Sequence, residues 1–109
     1  MPYNEKQANR LRKLLASHRG ISEKKMFGGI AFMHHGNMCA GITGDKLVVR
    51  VGADQYQSCL KRKHAAPMDF TGKPLTGFVY VLPEGIKRSD QLNHWLKTGL
   101  RFTKTLPKK

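Results

Sequence analysis

Two glycine-polar steps, Gly36-Asn37 and Gly44-Asp45, punctuate the run KKMFGGIAFMHHGNMCAGITGDKLVVRV that begins at Lys24. Each step supplies the positive φ that a tight hairpin turn demands, and each is flanked by apolar residues. Two hairpins back to back make a three-stranded antiparallel meander, so the spacing predicts one from Lys24 to Val51. Centring the first turn on Gly36-Asn37 sets Met33 opposite Ala40 and Ala31 opposite Ile42. The second sets Ile42 opposite Leu47 and Ala40 opposite Val49. One face of this sheet then carries Phe27, Ala31, Met33, Met38, Ala40, Ile42, Leu47, Val49 and Val51, all apolar. The other carries Ile30, Phe32, His34, Cys39, Thr43, Lys46, Val48 and Arg50. Such asymmetry predicts an antiparallel sheet covered by helices on one side.

Elements outside the meander follow from periodicity. Ala8, Leu11, Leu14 and Leu15 recur at helical spacing between Tyr3 and His18, with Lys6, Arg10 and Lys13 on another face and Gly20 as the stop. After Gly52, a short helix from Ala53 to Lys61 turns Tyr56 and Leu60 inward, with Lys61, Arg62 and Lys63 complementing its dipole. His64 to Gly77 holds Pro67, Pro74, Gly72 and Gly77 and reads as an ordered loop. FVYVL, Phe78 to Leu82, is a further strand. Ser89 is placed to cap a long final helix with an inner stripe of Leu92, Trp95, Leu96, Gly99 and Leu106. The expected fold is an α+β two-layer sandwich over a single domain, in the order α-β-β-β-α-β-α, without internal repeat.

Charge narrows the function classes. Twenty Lys and Arg against seven Asp and Glu leave a net charge of +13, a bias towards polyanions or an acidic partner protein. Candidate polyanion-binding residues are Lys6, Arg10 and Lys13 on the first helix and Lys97, Arg101, Lys104 and Lys108 on the last. The same stripes also read as solvated faces of amphipathic helices. No helix-turn-helix, aromatic RNA-binding strand or zinc finger is legible, so any nucleic-acid contact is expected to be non-specific and salt-dependent. No apolar stretch approaches the ~20 residues of a membrane span. The polar N-terminus carries no secretory pattern, and two cysteines make no disulfide framework, so a cytoplasmic setting is expected.

Catalytic chemistry is poorly supplied. No carboxylate pair spaced to share a cleft, GxSxG elbow, Walker loop or Rossmann fingerprint is present, and Gly28-Gly29 reads as a bulge or a close backbone approach inside a strand. His34, Cys39 and Arg50 form a row across the sheet in the deduced register, and a thiol between a cation and an imidazole would ionise readily. Against that, a strand cysteine is usually a small hydrophobe. His34, His35, Cys39, Cys59 and His64 lack metal-ligand spacing, and no cofactor is expected. Ile30, Phe32 and Val48 form an apolar strip on the mixed face, either a surface for a partner or a second copy, or the seat of a covering helix.

KKMFGGIAFM, GNMCAG, GDKLVVRVG, PMDFTGKPLTGFVYV and the closing Trp-containing helix closely resemble the TfoX N-terminal domain family in one collinear order from Ser22 to Leu106. The resemblance implies a two-layer α/β fold with an antiparallel sheet. It also implies a regulatory role, because the family includes the TfoX/Sxy regulators of bacterial competence genes, thought to act with a transcription activator. It transfers no catalytic residues. In the shared PMDFTG segment, Met68 and Phe70 are placed to cap the core and Gly72 to turn the chain. The expectation is a non-catalytic regulatory module acting through a protein partner, with direct nucleic-acid binding as the rival and a Cys39-based enzyme or redox sensor third.

Overall fold

The computed structural model describes residues 3–26, 28–69, 72 and 74–108. Its elements run α1 (Glu5–Leu15), β1 (Ile21–Met26), β2 (Gly29–His34), β3 (Asn37–Thr43), β4 (Lys46–Arg50), α2 (Ala53–Leu60), β5 (Ala65–Asp69), β6 (Pro74–Val81), a single 3-10 turn (Pro83–Ile86) and α3 (Ser89–Thr103). The strands form one antiparallel sheet in the order β1-β2-β3-β4-β6-β5. The chain is therefore α+β, with two more strands than the meander and FVYVL predict.

Each extra strand has a local cause. Gly28, with φ of 71°, stands between Met26 and Gly29, which pair across a hairpin. The glycine pair accordingly divides β1 from β2 rather than bulging one strand, and Gly29 makes the expected close backbone approach, leaving no room for a Cβ against Ile42. β5 arises inside the segment expected to be a loop. Its Pro67 is tolerated because β5 lies at the sheet edge, where a missing N–H breaks no inner ladder bond. The opposite edge, β1, is blunted by exposed Ser22, Glu23, Lys24 and Lys25.

The β3–β4 register is the expected one, with Ile42 opposite Leu47 and Ala40 opposite Val49 around Gly44. The β2–β3 register is not. The turn residues are His35 and Gly36, at φ of 52° and 84°, so His34 faces Asn37 and Met33 faces Met38. Histidine enters the left-handed region more readily than most side chains, which moves the turn back by one residue. A bulge then leaves Cys39 without an opposite number, and Phe32 faces Ala40 while Ile30 faces Ile42. The net slip of one residue exchanges the faces of β2. Ile30 and Phe32 belong to the core; Ala31 and Met33 lie on the far side.

All three helices contribute to one core cluster. Ala8, Leu11 and Leu15 of α1, Tyr56 and Cys59 of α2, and Leu92, Trp95, Leu96 and Leu100 of α3 pack with Ile30, Phe32, Ala40, Ile42, Leu47, Val49, Val79 and Val81. α3 comes closest. A Cβ built on Gly99 would sit 2.8 Å from the Cys39 carbonyl oxygen and 3.2 Å from its sulfur. Helix ends are fixed by side chains. The Asn4 side-chain oxygen accepts from the Lys6 N–H at 2.9 Å, and its amide donates to Asp45 at 2.7 Å, so α1 starts at Glu5 and is tied to the β3–β4 turn. At α3 the Arg88 backbone N–H donates to Gln91 Oε1 at 2.9 Å, and Ser89 is the first helical residue rather than the cap. Leu106 lies beyond α3, half-buried, and its expected place in the stripe is taken by Leu100 and Thr103. Among the described residues, no helix is long and apolar enough to cross a membrane.

Candidate interaction surfaces

The strand faces turned away from the helices carry a second apolar cluster. Ala31, Met38, Val48 and Met68 are buried there, and Met26, Met33, Phe78 and Tyr80 are half-buried against them. Four of the five methionines of the chain thus share one sheet face. Methionine is unbranched and polarizable, so such a surface adapts to the shape of what it touches. Cations stand on the aromatic rings of this face. Lys46 Nζ lies 5.0 Å from the Tyr80 ring centre, and the Arg50 guanidinium lies 5.6 Å from Phe78 and also 5.3 Å from Phe102, which belongs to α3 rather than to this face. Lys24, paired with Ala31, adds an exposed charge near the β1 edge. Burial and the nearby Asp69 carboxylate both raise the Tyr80 hydroxyl pKa, burial more strongly.

The strip expected from Ile30, Phe32 and Val48 does not form. Ile30 and Phe32 are 4% and 0% exposed under the helices, as the slipped register dictates, whereas Val48 is buried on the opposite face. The cluster that contains Val48 is the one against which Met33, Phe78 and Tyr80 pack. Phe27 and Phe70, assigned to the core from the sequence, lie outside the described residues.

The His34–Cys39–Arg50 row is likewise undone. His34 faces Asn37, and its ring Nδ1 shares a 2.9 Å hydrogen bond with Thr103 Oγ1 beneath α3. Cys39 occupies the bulge, fully buried, and burial pushes its thiol up to about 12. Arg50 stacks on Phe78 and Phe102 instead of approaching the sulfur. A thiol in this setting is a small hydrophobe, not a nucleophile. Burial of His34, assisted by the positive charge of His35, His18, Lys104 and Lys108, lowers its pKa.

Of the basic candidates, Lys6, Lys13, Lys97, Arg101, Lys104 and Lys108 are exposed. Arg10 is half-buried and committed within the fold, donating to Gln7 Oε1 at 2.7 Å and to the Lys87 carbonyl at 3.3 Å. Arg101 reaches the groove between α2 and α3. That groove also holds Arg62, whose guanidinium lies 3.5 Å from the Trp95 ring centre. The run Lys61 to Lys63 carried the signal for it, but read only as a helix-dipole complement. Among the described residues, no group of three or more His, Cys, Asp or Glu side chains is placed to hold a metal ion.

A family model described as the TfoX N-terminal domain matches residues 13–103. No curated protein and no solved structure matches the chain.

Proposed function

The chain belongs to the TfoX N-terminal domain family, and on that premise we propose that it is a non-catalytic regulatory module that binds a protein partner through its methionine-rich sheet face. The observation that supports the reading is the gathering of Met26, Met33, Met38 and Met68 with Phe78 and Tyr80 on the face away from the helices. Lys24, Lys46 and Arg50 around it favour a partner segment with acidic residues beside its apolar ones. A transcription activator with such a segment fits the regulatory role of the family.

The test compares nuclease-treated bacterial lysate passed over the wild-type protein, Met33→Glu and Lys97→Glu. A protein retained by wild type and Lys97→Glu but lost from Met33→Glu, with unfolding midpoints unchanged, supports the reading. Equal retention by all three, or recovery of nucleic acid alone, overturns it. The exposed Lys6, Lys13, Lys97, Arg101, Lys104 and Lys108 keep a second reading in view, direct and non-specific contact with nucleic acid.

A further inference from the structure

Arg62 lies just beyond the C-terminal end of α2, and its guanidinium stacks on the buried Trp95 of α3. A separation of 3.5 Å from the ring centre is close contact, so the guanidinium is held against the indole rather than sweeping through solvent. Among the described residues, the ion pairs engage Arg12 and Arg88, and none engages Arg62. It is a positioned cation without a carboxylate.

The surroundings of Arg62 are concave and basic. A cavity of about 600 Å³ is lined by Arg62, Lys63, His64, His94 and Trp95, with Asp90 at its side. Asp90 is already engaged by Arg88 at 2.6 Å, which holds its carboxyl below the usual range and offsets its charge. A neighbouring cavity of about 540 Å³ shares Arg62 and His94 and adds the hydroxyls of Ser58 and Thr98, the guanidinium of Arg101 and, as its one carboxylate, Asp54. His64 is held in the left-handed region at φ 69°. Its carbonyl accepts from the Leu82 N–H at 2.9 Å, and the backbone of Gly85 packs against its Cβ so closely that a Cβ there would come within 2.8 Å. A histidine at a position that glycine or asparagine fills with less strain, its backbone and Cβ held from two sides, projects its imidazole from a fixed point of the cavity lining.

We propose that this cleft binds a small phosphate-bearing ligand, with the stacked Arg62 guanidinium as its principal donor and Lys63, His64 and His94 around the remaining oxygens. A guanidinium held against a ring keeps its parallel N–H donors, which match two phosphate oxygens. The doubly negative charge of a phosphate monoester suits the combined positive field better than a single carboxylate does. Convergence of the basic groups on a pocket, rather than along a ridge, selects a compact ligand over a polymer.

Trp95 is the single tryptophan of the chain and lies beneath Arg62, so its fluorescence reports on the cleft. Inorganic phosphate is titrated at constant ionic strength, and phosphorus NMR linewidths give a second readout independent of the indole. The expected result is saturable binding, weakened about tenfold in Arg62→Gln and unchanged in Lys25→Gln, which removes the same charge at the exposed β1 edge. Lys63→Gln, at an exposed position, decides the matter if Arg62→Gln alters folding, and it too is expected to weaken binding. The proposal is overturned by a linear, unsaturated response, by equal weakening in the Lys25 variant, or by a response to single-stranded oligonucleotide without one to phosphate. Because none of these readouts involves the methionine face, failure here leaves the protein-partner reading standing.

Discussion

At Gly99 a single missing methyl sets the distance between helix and sheet. Glycine inside a helix costs ~1 kcal/mol relative to alanine, yet a Cβ here would press to 2.8 Å on the backbone oxygen of Cys39, which has no room to retreat inside the bulge. Overpacking of this kind costs ~1–3 kcal/mol. Gly99→Ala is therefore expected to lose up to about 2 kcal/mol despite its better helix propensity, read as a lower urea midpoint with an unchanged slope. His34 makes a second residue-scale prediction. Its folded pKa lies below the ordinary value, so the unfolded chain takes up a proton that the folded one resists. Stability is then full above about pH 6.5 and declines as pH falls through that value towards the lower folded pKa. Unfolding midpoints of His34→Gln measured from about pH 7 to 5 should lose this slope; a slope as steep as that of the wild type rejects the assignment. For Cys39, a thiol reagent at mildly alkaline pH should react no faster than the protein unfolds, given full burial and a pKa of about 12.

The β2–β3 hairpin shows how far an element can be read from its letters. Gly44-Asp45 was legible because Thr43 and Lys46 close the ladder directly around it. Gly36-Asn37 misled by one position because His35 accepts φ of 52° and Asn37 is drawn into β3, where its buried amide donates to the Pro107 carbonyl at 2.9 Å. Period-two patterning could not arbitrate, since β2 is apolar on both faces: Ile30 and Phe32 face the helices, Ala31 and Met33 face away. β5 was illegible for another reason, because Pro67 is a breaker everywhere except at an edge. The expected apolar strip inherited both errors, and Met68 and Met33 share one sheet face only through pairings that local sequence does not encode. The hairpin itself is testable. His35→Asn should retain stability, whereas His35→Val places a β-branched side chain in the left-handed region and should cost ~1–2 kcal/mol, measured by thermal unfolding.

On the scale of the whole molecule, the helices and their exposed lysines take one side of the sheet and the methionine cluster the other. The net charge of +13 guarantees some attraction to any polyanion. Duplex DNA affinity, if it comes from those helix surfaces, should fall linearly in logarithm with rising salt and show no sequence preference; a salt-insensitive, sequence-selective complex contradicts that origin. The closure of α3 over Cys39 also carries a kinetic consequence. The central strand is synthesised well before the helix that shields it, and Asn37 likewise waits for Pro107. Neighbouring hairpins can pair early, but the middle of the sheet stays wet until a long loop has closed, which raises contact order and slows folding. A nascent chain interrupted ahead of Ser89 would leave uncovered the parts of β3 and β4 that α3 shields, so the last helix completes the core that α1 and α2 only begin.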